Sequence, residues 1–530
     1  MAFPLVKQAL AAYVFFPAAV ADDEQAYARL LGLWSACGDQ LGMTDAIPSL
    51  KLPAELPSSP PPAGGGARPL AARQSAGAAI EQALVLREHD VCTLIVMLAP
   101  EPSAGVSWQQ LDERWASVAA SVSPGPVLGE ARLYLGLLDG GNRTPAPRGR
   151  GHRRDERAAE GRRVLNCAAQ SVQAAMPASP DARDGWWRRG ATTRQGFGLW
   201  EASSRADSRT ERRIAVIAAR QRETVLDEWA WTRGDAALPP FGRYLLHAAK
   251  VRYELRVHDG GAEVRQLRNR ADAQVDELLG LLAGAEGPGG APQTEENLIV
   301  ASTRLLAVQA GSAGLVNAVT RLREMGRTVQ IATANMAAAL GPGSAQAGPL
   351  ADDRALAEWF AQRLDDDALY LEAARERTRD VTAVTATVVQ HHLQQRQEDA
   401  RRRQERFNLL QTAVIGAVVV GLTAVQALGY QLPLPGPFKP PVIAALGAVA
   451  LLLASIVVRL ALSSGRQPLA WLSYAAAGLT IAALTWLVVA WVSRDALHKL
   501  AGPAPTGILA AIGFAVGLAV AYRTSTRRSR

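Results

Sequence analysis

Three cysteines and seven histidines are the residues of this 530-residue chain best suited to covalent or metal chemistry, and their spacing argues against both. Trp34 to Asp39 reads WSACGD, superficially like the Q-A-C-x-G surroundings of a cysteine-protease nucleophile, but that arrangement needs a histidine well upstream and none precedes Cys37. Cys92 follows His89 in HDVC, yet a cysteine entering an apolar run is ordinarily a core residue. Cys167 has no sequence partner, and three cysteines without paired spacing build neither a disulfide framework nor a zinc site, which suits a reducing cytoplasm. His391 and His392 are adjacent, so on a helix they point about 100° apart and do not form the i,i+4 pair that chelates a metal. Asp365, Asp366 and Asp367 are most simply one solvated helix face, with a divalent ion as the alternative. No phosphate-binding loop, paired-glycine fingerprint or nucleophile elbow occurs. The expected set of catalytic, cofactor-binding and metal-ligating residues is therefore none, with no cofactor and no enzyme activity.

The elements around these residues are organised by one long segment, Asp352 to Gly429. Its first part, ADDRALAEWFAQRLDDDALYLEAARERTRD, is rich in helix formers and lacks Gly and Pro. The β-branched stretch VTAVTATVV that follows is flanked by helix formers with no turn signal, so the helix is expected to continue. From Asn408, NLLQTAVIGAVVVGLTAVQALG supplies enough apolar and small residues to cross a hydrocarbon layer roughly 30 Å thick. Asp352 to Phe407 is thus a stalk that would reach roughly 80 Å if unbroken, leading into the first of four expected transmembrane helices, about 408–429, 440–458, 469–491 and 505–522. Trp471, Tyr474, Trp491 and Tyr522 fall near span ends, where amphipathic rings favour the headgroup level.

Arginine placement sets the expected orientation. Arg401, Arg402, Arg403 and Arg406 precede the first span, Arg459 and Arg466 flank the second connection, and Arg523, Arg527, Arg528 and Arg530 fill the tail 523–530. Positive flanks stay inside, so both termini are expected in the cytoplasm and the protein in the cell membrane as a multi-pass chain with the lipid bilayer as a partner. Inside the spans Gln411, Thr412, Thr423 and Gln426 are the notable polar groups and no ionisable residue lies near mid-depth, which disfavours a carboxylate relay. The net charge of +8 resides largely in these flanks and one loop, and nucleic acid is not expected as a partner.

Residues 1–140 read as an α/β domain. MAFPLVKQALAAYVFFPAAVAD resembles a secretory signal in its apolar run and Ala-Val-Ala, but Pro4 and Pro17 interrupt it, AYVFF favours a strand, and export would reverse the arginine asymmetry. A first core strand is the better reading. A helix follows over ADDEQAYARLLGLWSACGDQLG, then the loop or linker IPSLKLPAELPSSPPPAGGGARP, a helix from about Ala76 to Arg87, the strand VCTLIVMLAP, the helix SWQQLDERWASVAASV and the strand ARLYLGLLDG. Residues 141–195 are expected to be a basic disordered loop or linker, because NRTPAPRGRGHRRDERAAEGRR has little to bury and no aromatics to stack on single strands. In 196–290 the strands GFGLWEAS and RRIAVIAA, the short helix ETVLDEWAW and two longer helices complete a mixed α+β region, with strands able to extend the first sheet. In 291–407, Leu298, Ala301, Leu305, Val308, Ser312, Leu315, Val319, Leu322, Gly326, Val329, Thr333, Met336 and Leu340 keep three-four spacing, predicting one helix that pairs with the stalk as a long antiparallel, coiled-coil-like hairpin, with homo-oligomerisation as a further option.

Three stretches, PLVKQALAAYVFFP, FGRYLLHAAKVRYELRV and RQERFNLLQTAVIGAVVVGLTAVQAL, together resemble the CATRA proteins, the caspase and tetratricopeptide-repeat associated components of bacterial conflict systems. The resemblance implies a membrane-tethered, non-enzymatic partner of a caspase-like protease or a tetratricopeptide-repeat protein, acting in defence or programmed death. A soluble α/β domain feeding a long helix into a first span also resembles CorA-type magnesium channels. That family has two spans and a Gly-Met-Asn signature, where this chain has four expected spans and Gly429, Tyr430 and Gln431. A membrane-tethered structural scaffold is the third alternative.

Overall fold

Strand β1 (Leu5–Pro17) carries the densest aromatic and β-branched run of the N-terminal half, and it takes the middle of a nine-stranded sheet. Its side chains alternate between two cores. Leu10, Ala12, Val14 and Phe16 enter one, and Ala9, Ala11, Tyr13 and Phe15 enter the other. A strand buried on both faces reads as continuous hydrophobic sequence, and each large apolar side chain so placed contributes roughly 1.5–3 kcal/mol relative to exposure. The computed structural model describes residues 4–18, 23–59, 66–77, 79–139, 152–179, 181–204, 206–231, 237–285, 292–341, 347–430, 436–461, 470–495 and 502–528. They form two compact units, Met1–Thr385 and Ala386–Arg530.

In the first unit β1 is followed by α1 (Asp23–Leu41), β2 (Met43–Ala46), β3 (Arg68–Ser75), β4 (Ile80–Glu88), β5 (Val91–Ala99), α2 (Trp108–Ala120), β6 (Gly129–Leu138), α3 (His152–Ala175), β7 (Ala191–Thr192), β8 (Gly198–Glu201) and β9 (Glu211–Ala219). The strand order is β2-β3-β4-β5-β1-β6-β9-β8-β7, antiparallel throughout except for the parallel pair β6–β9. Parallel neighbours need a crossover, and α3 lies within that connection. The strands of residues 196–290 do extend the first sheet. On one face pack α1, α2 and α3, through Leu30, Trp34, Trp108, Trp115, Val164 and Val172. Ser107 caps α2 with a reciprocal Ser107–Gln110 capping box.

Three expectations fail here. The helix expected from Ala76 to Arg87 is instead the strand β4, paired in register with β5 from Ile80–Ala99 to Glu88–Val91. Its residues are helix formers by composition, but Ala83 and Val85 serve one core while Leu84 and Leu86 serve the other, so pairing and two-sided burial override propensity. The end of the expected linker is likewise the strand β3, and Ala72 N donates to Pro53 O at 3.0 Å. The basic loop expected over 141–195 contains α3 and β7, with residues 141–151 outside the described set. Val164, Ala168 and Val172, spaced by four, give the Arg-rich helix a buried face that its charge density conceals.

The second face of the sheet is covered by α4 (Glu223–Ala230), α5 (Pro240–His258), α6 (Ala262–Ala285), α7 (Pro292–Ala310), α8 (Leu315–Leu340) and the first part of α9 (Gly348–Tyr430). Helix α5 lies close to the sheet because Gly242 has no side chain; a Cβ there would stand 2.8 Å from the Tyr13 ring. The single helix expected over 296–340 is broken between Ala310 and Leu315, where Gly311 and Gly314 sit in a turn. Its apolar positions are not reserved for the stalk. α8 packs on α5 and α7 on α6, burying Leu298, Leu305, Leu315, Leu322 and Met336, while Arg323 bridges to Glu372 of α9 and Arg377 of α9 to Asp272 of α6. The three-four spacing therefore records membership of the helical layer on this face.

The second unit contains α10 (Lys439–Ala461), α11 (Ala470–Asp495) and α12 (Pro503–Arg528). Among the described residues four stretches are long and apolar enough to cross a membrane: Glu296–Leu340, Lys439–Ile456, Tyr474–Asp495 and Ala504–Arg523. The last three coincide with the expected second, third and fourth spans. Glu296–Leu340 carries Arg304, Arg321, Arg323, Glu324 and Arg327 and is part of the first unit's core, so its apolar content is explained by packing. The expected first span is helical as the end of α9, with only part of its side chains described. Small residues such as Gly416 and Gly421 in the expected first span would permit close helix packing. A Cβ at Gly416 would meet nothing within 4 Å, and the surroundings of Gly421 lie outside the described residues. Gly517 instead lies against Gly478, its would-be Cβ 2.9 Å from the Gly478 Cα, and Gly513 meets Thr485, giving α11 and α12 the small-residue contact that brings helices together in lipid.

Candidate functional site

The residues of the first unit that break its apolar pattern most sharply are charges inside the core. Glu201 ends β8, Arg212 lies in β9, Tyr244 and Arg252 in α5, and Asp353 in the first turns of α9. Arg252 and Asp353 are each 2 % exposed and Arg212 3 %. Charges so buried are tolerated only when paired and hydrogen-bonded. Arg212 donates from Nε and Nη2 to the two Glu201 oxygens at 2.8 and 2.7 Å, and from Nη1 to Asp353 Oδ2 at 2.8 Å. Tyr244 Oη donates to the same Asp353 oxygen and Arg252 Nη2 to the other. Arg209 adds bonds from Nε and Nη2 to Glu201 at 3.2 and 3.1 Å. The planar guanidinium fork of Arg212 makes it the hub, since one side chain spans two carboxylates.

Electrostatics follow from this geometry. Burial alone would raise the Glu201 carboxyl, but the Arg212 and Arg209 guanidinium groups outweigh it and hold that carboxyl far below the usual range. Asp353 is likewise held down by Arg212 and Arg252 against the effect of burial. The Tyr244 phenol is pushed well up, by burial first and by the Asp353 charge second. Both carboxylates are therefore ionised at neutral pH, and Tyr244 is a fixed hydrogen-bond donor.

Above the network opens a cleft of about 350 Å³. One wall comes from the segment before β9, with Arg183, Trp186, Arg189, Ser203 and Arg209, and the other from α9, with Asp352, Leu356 and Trp359; Glu201 and Arg252 also line it. The walls meet closely. Arg189 Nη2 lies 3.0 Å from both Asp352 oxygens, and Gly348, at φ 66°, leaves room where a Cβ would stand 2.8 Å from the Arg189 carbonyl oxygen. Two serines line the cleft, Ser203 and Ser204, and among the described residues its lining holds no histidine or cysteine to act with them.

The residues weighed from sequence lie elsewhere. Cys37 is fully buried, and burial, partly opposed by Arg73, pushes its thiol up to about 12, so it is a poor nucleophile. Cys92 is buried in β5 opposite Phe16 of β1, and His89 stands in the β4–β5 turn at φ 54°. Cys167 is half-buried on α3. His391 is exposed and meets Gln395 at 2.9 Å, one turn on. The acidic triplet divides: Asp365 and Asp366 are exposed, whereas Asp367 is buried, with His258 Nε2 at 2.9 Å and Arg363 at 3.2 Å. The expectation of one solvated face thus holds for two of the three. Helix rotation alone turns Asp367 toward α5. Among the described residues no group of three His, Cys, Asp or Glu side chains could hold a metal ion.

Two family models match the chain. The CASPASE and TPR Repeat-Associated N-terminal domain covers residues 9–234, and the corresponding C-terminal domain covers residues 239–378. The chain belongs to the CATRA family. The cleft of this CATRA protein lies where the two matched segments meet: Glu201, Arg209 and Arg212 belong to the N-terminal domain, Tyr244, Arg252 and Asp353 to the C-terminal one. No curated protein and no solved structure matches the chain.

Proposed function

We propose that this CATRA protein is a membrane-anchored recognition component, without enzyme activity of its own, that binds a caspase-like protease or a tetratricopeptide-repeat protein in a bacterial conflict system. The observation that carries the proposal is the cleft at the junction of the two CATRA domains: its walls are fixed by buried ion pairs, and its lining offers guanidinium and indole groups, the side chains enriched at protein-binding hot spots. The anchor is the set of apolar helices α10 to α12 together with the end of α9, with both termini in the cytoplasm by the arginine asymmetry.

Because α9 contributes Asp352, Leu356 and Trp359 to the cleft and continues as one helix to Tyr430, a partner seated in the cleft touches the same covalent element that enters the anchor. Co-purification of the full chain in nanodiscs with the caspase-like and repeat proteins encoded in the same genome tests the reading. A saturable complex is expected, with no peptide cleavage by this chain alone. Failure to retain any such protein, or turnover by the isolated chain, would overturn it.

A further inference from the structure

We propose that the cleft takes a short acidic segment of the partner bearing an aromatic side chain, with a carboxylate held by Arg183 and the ring seated against Trp186 and Trp359. This deepens the recognition role above and rests on it. The lining is not electrically satisfied. Arg189 and Arg209 share their charges with Asp352 and Glu201, but Arg183 is exposed and makes no ion pair among the described residues. Arg252 is committed to Asp353 through Nη2 and to the Ala248 carbonyl through Nη1, while its Nε is buried with no acceptor. That donor is closed off from the cleft as well as from solvent, so Arg252 acts on the network and not on a ligand. The exposed Arg183 guanidinium is therefore the group left to receive a ligand carboxylate.

The aromatic half of the site is equally specific. Trp359 is 55 % exposed, yet its ring is backed by the fully buried Phe360 at 6.3 Å, so it is an anchored apolar surface. Trp186 is half-buried opposite it, held edge-on by Trp187 at 6.2 Å, and Pro349, Ala355 and Leu356 complete an apolar wall. The volume lies near the lower end of roughly 300–1,000 Å³ for ligand pockets, which fits a few residues of extended chain. One lining carboxylate, Asp207, has no ion pair among the described residues, and its repulsion disfavours a polyphosphate such as RNA relative to a peptide of mixed character.

The test uses the full chain in nanodiscs and a fluorescein-labelled peptide alternating glutamate with phenylalanine, read by fluorescence anisotropy, with empty nanodiscs as the blank. Glutamine-for-glutamate and lysine-for-glutamate peptides are the comparison arms. Arg183→Glu and Trp359→Ala change exposed side chains, and an unchanged melting curve verifies that each is folded. Saturable binding that weakens about tenfold or more in each variant, and falls with added salt, is the expected result. Equal binding of the glutamine peptide, preference for the lysine peptide, or affinity unchanged in both variants would overturn the proposal. Partner capture that survives both substitutions also overturns the cleft while leaving the recognition role standing. Cleft-dependent peptide binding without any caspase-like or repeat partner supports the cleft and overturns that role.

Discussion

Arg212 Nη1 donates to Asp353 Oδ2 at 2.8 Å, joining β9 to α9 across 141 residues of sequence and joining the N-terminal CATRA domain to the C-terminal one. Both side chains are nearly inaccessible, at 4 % and 1 %. Asp353→Ala leaves Arg212 and Arg252 buried beside a missing partner, and a loss of about 3–5 kcal/mol is expected. A double-mutant cycle with Arg212→Ala, measured by chemical denaturation, should show strong coupling. Because the folded Asp353 and Glu201 carboxyls are held below their ordinary values, their stabilisation is present above about pH 4 and is lost as pH falls through the lower folded values. Acid unfolding of Asp353→Asn should therefore be less steep than that of the unaltered chain.

Glu254 gives the opposite sign. Burial, with help from Asp90, raises its carboxyl to about 7 although Lys250 opposes the shift. A carboxyl raised in the fold contributes stability below its unfolded value of about 4.3 and loses it as pH rises to about 7. Glu254→Gln should gain stability relative to the unaltered chain at pH 8 and little at pH 5. On the same helix His247 is lowered to about 4, by burial first and then by Lys250 and Arg243, so its contribution is present above about pH 6.5 and lost as pH falls. Stability profiles of Glu254→Gln and of His247→Gln, measured against pH, separate the two effects.

Close packing of α5 on the sheet makes Gly242 sensitive. Its would-be Cβ stands 2.8 Å from Tyr13 and 3.2 Å from Pro239, so Gly242→Ala must displace the ring or the helix, at about 1–3 kcal/mol. Leu322→Ala, which removes a buried side chain of α8, should cost about 2–5 kcal/mol. Thermal melts of the full chain check both. A melt unchanged in Leu322→Ala would contradict the placement of α8 in the first unit's core.

The orientation of the proposed anchor is open to a direct assay. Reporter fusions before Met1 and after Arg530 should both report cytoplasm, given the arginines at 401–406 and 523–530. A periplasmic signal from either would reverse the assignment.

Much of the architecture was legible in residue order. The run AYVFF marked β1, the apolar stretches VCTLIVMLAP, ARLYLGLLDG and RRIAVIAA marked β5, β6 and β9, and SWQQLDERWASVAASV marked α2. What failed were segments whose composition and environment disagree. EQALVLRE is helical by propensity and a strand by pairing, and the arginines of α3 hide Val164, Ala168 and Val172. The periodicity of 298–340 was sound, but a stripe of leucines does not name its neighbour, which is α5 for α8. The cleft was invisible for a related reason. Glu201, Arg212, Tyr244, Arg252 and Asp353 fit no short motif, because the fold brings them together from four separate elements. The arginine pair opening RRIAVIAA and the glutamate closing GLWE were the available signal.

Hydrogen–deuterium exchange on the full chain in nanodiscs, with and without the proposed caspase-like or repeat partner, tests the central claim most directly. Protection on binding should fall together on residues 183–209 and 349–359, the two walls of the cleft. Protection confined to other surfaces, with both walls unchanged, would contradict recognition at the junction of the two CATRA domains.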